Sequence, residues 1–228
     1  LVLQHVDDNQ DEVTVAIELE KEKRLRGIVF LGGYFSHSEE KLKQISIPFV
    51  LSTIKLEEED GRQEYASISV DDIKESERIV EYLLQNGHRK IAVIGSRKDD
   101  ESIGWLRLQG YRRALERYHV AVDEELICYV PGNLATYSME AGYEMTDQLL
   151  KKGKAFTALF AMSDSMAVGA CKAILDHGGS IPDQYSVVGF DGMDVAQYYN
   201  PSITTIRQPV EEMAEATIRM LLELIRKK

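Results

Sequence analysis

Two cysteines, Cys128 and Cys171, are all that the 228 residues contain, and they stand far apart with no metal-ligand spacing. That excludes a disulfide framework and suits a reducing compartment, with small core residues as the plain role for both. No apolar run approaches the roughly 18 to 20 residues that cross a bilayer. The opening LVLQHVDDNQDE lacks the basic region and long apolar core of a signal peptide, so a cytoplasmic protein with no membrane partner is expected. Basic charge is also short: 27 Lys and Arg face 38 Asp and Glu, a formal net charge of −11. Such a surface repels phosphate backbones, so these residues by themselves are poor nucleic-acid binders.

The usual enzyme signatures are missing. There is no G-x-x-x-x-G-K-S/T, no G-x-G-x-x-G after a strand, no G-x-S-x-G elbow, no H-E-x-x-H and no C-x-x-C. His5, His37, His88, His119 and His177 are scattered, mostly at predicted element ends, where imidazole caps carbonyls or lies in solvent. Ser163 and Asp164 are adjacent and cannot form a triad alone. The expectation is therefore no catalytic residue, no metal site, no cofactor and no enzyme.

What is present is 44% hydrophobic residues in a regular alternation. RGIVFLGG (Arg26 to Gly33), IPFVLS (Ile47 to Ser52), YASISV (Tyr65 to Val70), KIAVIG (Lys90 to Gly95), FTALFAM (Phe156 to Met162) and YSVVGF (Tyr185 to Phe190) are short, nearly continuous apolar runs. Such runs are buried on both faces, as parallel strands are. Helix-period segments separate them: VTVAIELEKEKRL, SHSEEKLKQI with Ser36 as N-cap and Glu39 three residues on, and DIKESERIVEYLLQN closed by Gly87. GWLRLQGYRRALERY, TYSMEAGYEMTDQLLKK, SDSMAVGACKAILDH and VEEMAEATIRMLLELIRKK complete the set. The alternation predicts a doubly wound α/β architecture. One sheet, one barrel or two smaller sheets all satisfy the periodicity, and the acidic run Lys55 to Glu64 reads as a solvated loop.

In such sheets ligands collect beyond the carboxyl ends of the strands. The polar residues there are Ser163 and Asp164 after one strand, Asp191 after another, and Trp105 and Arg107 beyond a third, with Thr136 and Tyr137 before the next helix. Carboxylates and a guanidinium suit vicinal hydroxyls, and an aromatic face suits the C–H face of a sugar, although a purine would use the same groups. Each has a plain alternative: Asp164 as a helix N-cap, Arg107 as a surface arginine, Trp105 and Tyr137 as core or dimer contacts.

NGHRKIAVIG, RLQGYRRAL and the long segment from FTALFAMSDSMAVGACKAIL through IPDQYSVVGFDGMDVAQYYNPSITTIRQP resemble the effector-binding domain of the lactose-repressor and galactose-repressor family of bacterial transcription regulators. The resemblance implies two Rossmann-like lobes with parallel sheets joined by three crossovers, similar to type I periplasmic sugar-binding proteins, with an effector in the cleft. It implies an N-terminal lobe of residues 1–71 plus 208–228 and a C-terminal lobe of residues 72–207, with LVLQHV as the second strand of the family's first lobe and the DNA-binding headpiece absent. Carried over by motif, Arg107 and Asp191 match effector-binding residues, Ser163 and Tyr137 match a polar contact and a stacking aromatic, and Thr53 falls where the first lobe supplies a contact. Tyr198 and Tyr199 fall in a loop that helps build the family's dimer interface. The function implied is an allosteric, homodimeric repressor core that binds a small carbohydrate and reaches operator DNA only through the headpiece. A periplasmic sugar-binding protein for transport is the alternative.

Overall fold

The apolar runs become parallel strands in the computed structural model, which describes residues 1–6, 10–32, 37, 39–53, 65–99 and 102–227. The chain divides into two units, Leu1–Val70 with Pro209–Lys228, and Asp71–Gln208. Each boundary lies one residue outside the expected C-terminal lobe: Asp71 caps a helix of the second unit, and Gln208 is hydrogen-bonded to Asp191 of that unit.

In the first unit, β1 (Ile28–Leu31), β2 (Phe49–Ser52) and β3 (Tyr65–Ile68) form a parallel sheet in that order. Helices α1 (Glu12–Lys23) and α2 (Glu39–Leu42) bury Val13, Ala16 and Leu42 against Phe30, Phe49 and Leu51. The last helix of the chain, α8 (Val210–Lys227), packs on β2 and β3. Residues 1–6, expected as a strand, form none, and Leu1 and Leu3 are exposed. A strand is held by its ladder partner, and no described strand pairs with this segment. The helix expected over SHSEEKLKQI is confined to four residues, while its cap Ser36 and the acidic run Lys55 to Glu64 lie outside the described residues.

The second unit has five parallel strands in the order β5-β4-β6-β7-β8: β4 (Ile91–Ile94), β5 (Ile127–Cys128), β6 (Ala158–Ala161), β7 (Ser186–Asp191) and β8 (Thr204–Arg207). Ala92, Ile94, Leu159, Ala161 and Val187 point to one face, where α5 (Met139–Lys151) and α6 (Asp164–Asp176) cover them. The alternate residues Ile91, Val93, Phe160, Val188 and Phe190 are buried on the face that the right-handed crossover from β4 to β5 assigns to α4 (Ile103–Arg117), on which α3 (Asp72–Gln85) packs. Glycine lets the paired helices touch. A Cβ on Gly169 would stand 1.9 Å from the Met139 carbonyl of α5, and one on Gly110 would stand 2.3 Å from the Ile73 carbonyl of α3. From β4 the chain winds outward to β5 and then returns past β4 to β6, so the winding direction reverses between them. The crevice outside the carboxyl ends of the strands at such a reversal is where this architecture accepts ligands.

Candidate ligand site at the carboxyl ends of the second sheet

The site is built around Arg107, in the second turn of α4. Against the plain reading of a surface arginine, it is only 5% exposed. Its Nε donates to Asp72 Oδ1 at 2.9 Å and its Nη1 to the Met162 carbonyl at 2.5 Å, while the guanidinium carbon lies 3.7 Å over the Phe190 ring. A guanidinium packed on an aromatic face and locked through Nε is fixed in orientation. Of its five N–H groups, these two have acceptors among the described residues.

Asp191 closes β7, and its Oδ1 lies 3.8 Å from Arg107 Nη1, beyond hydrogen-bond distance. Gln208 Nε2 donates to that same oxygen at 2.7 Å, leaving Oδ2 without a donor among the described residues. The Asp191 side chain is 26% exposed and its backbone φ is 119°, a conformation that costs an L-residue about 1–3 kcal/mol. Burial pushes the Asp191 carboxyl above the ordinary carboxylate range, and Arg107 and the Gln208 bond only partly offset it. Burial likewise raises Asp72 against the opposing pull of Arg107. One guanidinium therefore serves two carboxylates, Asp72 tightly and Asp191 loosely.

Asp164 occupies a different position from the one expected. Ser163 is the N-cap of α6, its Oγ accepting from Met166 N at 3.2 Å and donating to the Tyr137 carbonyl at 3.2 Å. Asp164 is the first helical residue and is fully buried. One of its oxygens accepts from Met193 N at 2.6 Å and the other from Thr205 Oγ1 at 2.5 Å, so it holds the loop after Asp191 instead of facing a ligand. Gly189 makes room for it, since a Cβ there would stand 2.3 Å from Asp164 Oδ1. Burial raises the Asp164 carboxyl, opposed by Thr205 and the loop N–H groups. Ser163 is 4% exposed, so its hydroxyl too is spent inside the fold.

Tyr137 precedes α5 with φ 66°, and its ring is partly buried against the core. Arg97 Nε donates to the neighbouring Thr136 Oγ1 at 2.8 Å. Trp105 is 44% exposed on the first turn of α4. Thr53 belongs to the first unit, at the end of β2, where φ is 69° and its N–H donates to Ile68 O at 2.8 Å. Thr53, Tyr137 and Asp191 thus share positive φ. The two tyrosines of the outer loop separate: Tyr198 ends α7 (Asp194–Tyr198) and is 81% exposed, whereas Tyr199 packs on the core. Asp72, Gln208, Thr205 and Arg97 were missed by sequence reasoning. Among the described residues, no three His, Cys, Asp or Glu side chains group as metal ligands, and no helix is long and apolar enough to cross a membrane.

Parallel sheets, their winding and the polar cluster at the strand ends define a periplasmic-binding-protein-like α/β protein. Residues 80–228 match the periplasmic binding protein-like domain. The chain is 40% identical over 227 residues to the HTH-type transcriptional regulator MalR of Clostridium butyricum, covering 99% of this chain and 66% of that protein. It spans 60 to 66% of the length of the first curated relatives. A LacI-family transcriptional regulator from Enterococcus faecium, solved with bound ribose, aligns with a TM-score of 0.77 at 26% identity, over 96% of this chain and 77% of that one. A transcriptional regulator CelR–cellobiose complex aligns with a TM-score of 0.79 at 28% identity, over 95% and 64%. The chain belongs to the periplasmic binding protein-like family, in the branch found in LacI-family transcriptional regulators.

Proposed function

We propose that this chain is the effector-sensing and dimerising core of a LacI-type DNA-binding repressor, and that its effector is a sugar held at the carboxyl ends of β4, β6 and β7. The observation that carries the reading is the open pair: an oriented guanidinium with N–H groups to spare, beside a carboxylate with one oxygen to spare. Such a pair offers donors and acceptors at the separation of vicinal hydroxyls. Tyr137 and Trp105 add aromatic surface for the sugar's C–H face. Solved relatives hold ribose and cellobiose, both polyhydroxyl ligands.

DNA would be read by a separate headpiece, since a net charge of −11 disfavours DNA contact by these residues. Effector binding would alter operator affinity by a coupling of about 1–3 kcal/mol, which requires only that the sugar prefer one arrangement of the protein. Tyr198, exposed on α7, is the aromatic offered to a second copy. Thermal melting against ribose, cellobiose, other mono- and disaccharides and nucleosides tests the ligand class. A sugar at about 100 times its dissociation constant adds about 2.7 kcal/mol, a rise of roughly 2–4 °C. The rise is expected to vanish in Asp191→Asn. A response to nucleosides alone would overturn the sugar, and a rise that survives Asp191→Asn would overturn the site.

A further inference from the structure

We infer that Arg97 is a positioning residue for the sugar site: it clamps the segment between β5 and α5, and so fixes the aromatic face of Tyr137 before a ligand arrives. This role rests on the proposal above that Tyr137 packs on the sugar, and it gives Arg97 a part in affinity that is played through Tyr137.

Residues 129–138 join β5 to α5 without helix or strand. Irregular chain of that length holds one conformation only where bonds tie it down against its own entropy. Near its start, Val130 donates its N–H to Ser96 O at 2.9 Å. Near its end, Thr136 Oγ1 accepts from Arg97 Nε at 2.8 Å. The segment is thus stapled at both ends to two neighbouring residues just past β4, while Pro131, Gly132 and Asn133 between the staples are exposed. The base of the staple is itself firm, since Ser96 is 3% exposed and its Oγ donates to Arg97 O at 2.7 Å.

What the staple holds is a strained residue. Tyr137 has φ 66°, in the left-handed region that an L-residue keeps only where its surroundings over-determine it. On one side, Ser163 Oγ donates to Tyr137 O at 3.2 Å, and Ser138 Oγ accepts from Ala141 N at 3.0 Å as the N-cap of α5. On the other side stands the Arg97 bond to Thr136. A planar guanidinium that donates through Nε sets direction as well as distance, so the chain's path into Tyr137 is fixed. A ligand that stacks on a ring already in place is spared the entropy of ordering it. Arg97 therefore raises affinity without needing to touch the sugar.

The tests are sugar titration by calorimetry and backbone nitrogen-15 relaxation on the whole chain, with ribose and cellobiose as probes. Without ligand, the Thr136, Tyr137 and Ser138 amides are expected at order parameters of about 0.85 in the wild type, falling toward about 0.6 in Arg97→Met and in Thr136→Val. Each variant is expected to bind the sugar about three- to tenfold more weakly, and Thr136→Ser, which keeps the hydroxyl, should recover most of the loss. Tyr137→Leu keeps apolar bulk on the core and removes the aromatic face. In that background Arg97→Met should change affinity by less than about twofold.

A full loss that persists in the Tyr137→Leu background would mean that Arg97 acts by another route, and would overturn the inference. So would a lowered melting temperature with order parameters and affinity unchanged, the mark of a purely structural bond. If Tyr137→Leu binds too weakly to titrate, the Thr136 pair decides, and equal affinity in Thr136→Val and Thr136→Ser overturns the clamp. If neither sugar binds the wild type, it is the sugar proposal that fails, and unchanged ligand-free order parameters in Arg97→Met would still overturn the clamp on their own.

Discussion

The two ends of the five-stranded sheet are built on opposite plans. At the amino ends, His88 bridges two strands with neutral partners, Nδ1 to Thr157 Oγ1 at 2.9 Å and Nε2 to Ser186 Oγ at 3.1 Å. At the carboxyl ends, two carboxylates, Asp72 and Asp191, flank one guanidinium, a third, Asp164, is buried under the loop after Asp191, and Asp191 and Tyr137 sit in strained backbone. Satisfied neutral bonds stabilise a fold at little cost, whereas buried charge and positive φ cost free energy, as is expected where a site binds a ligand. The contrast teaches where to look for function in a sheet whose core is otherwise uniformly apolar: at the end where the fold tolerates a loss of stability.

The comparison breaks most visibly at Arg107. Arg107→Ala leaves Asp72 buried and uncompensated, an expected loss of about 3–5 kcal/mol of stability by denaturant unfolding, together with loss of sugar binding. Next in size is a change away from both ends. Gly169→Ala forces α5 and α6 apart, an overpacking expected to cost about 1–3 kcal/mol while leaving sugar affinity within about twofold once folded. Asp164→Asn should cost a similar or smaller amount, about 1–3 kcal/mol, but unlike Gly169→Ala it should also weaken sugar binding, because an amide keeps one acceptor oxygen and either Met193 N or Thr205 Oγ1 then faces an NH2 group.

The smallest effect sharpens the contrast through pH. Burial holds the His88 pKa below the ordinary 6.5, so its stabilisation is present at pH 7 and is lost as pH falls through 6.5 toward the folded value. Burial raises Asp72, Asp164 and Asp191 above the ordinary 3.8. Their contribution is full below that value and is lost as pH rises through their folded values, so acidification from pH 7 toward pH 4 favours the carboxyl end and penalises the amino end. Melting temperatures across that range should fall less with acid in His88→Gln than in the wild type, and more in Asp164→Asn.

Six of the eight strands were legible as continuous apolar runs. β5 and β8 were not: β5 has two residues, and the edge strand β8 buries one residue of four, so neither carries the pattern of a doubly covered strand. Asp191 was legible because it follows a buried strand directly, and Arg107 because its surrounding motif resembles the family's. Asp72 and Gln208 read as an ordinary helix start and a residue before proline, since their partners are 35 and 17 residues away and only the fold brings them together. The place of Asp164 was not legible, because two adjacent residues can each cap a helix, and the choice between them depends on Gly189, which admits the Asp164 carboxylate against β7.

The most direct measurement is a backbone amide footprint of the sugar that gives the largest melting shift. The shifted amides are expected to concentrate at Ser96, Thr136 to Ser138, Met162, Ser163 and Asp191 to Met193, at the carboxyl ends of the strands. Shifts concentrated at His88, Thr157 and Ser186 would contradict it.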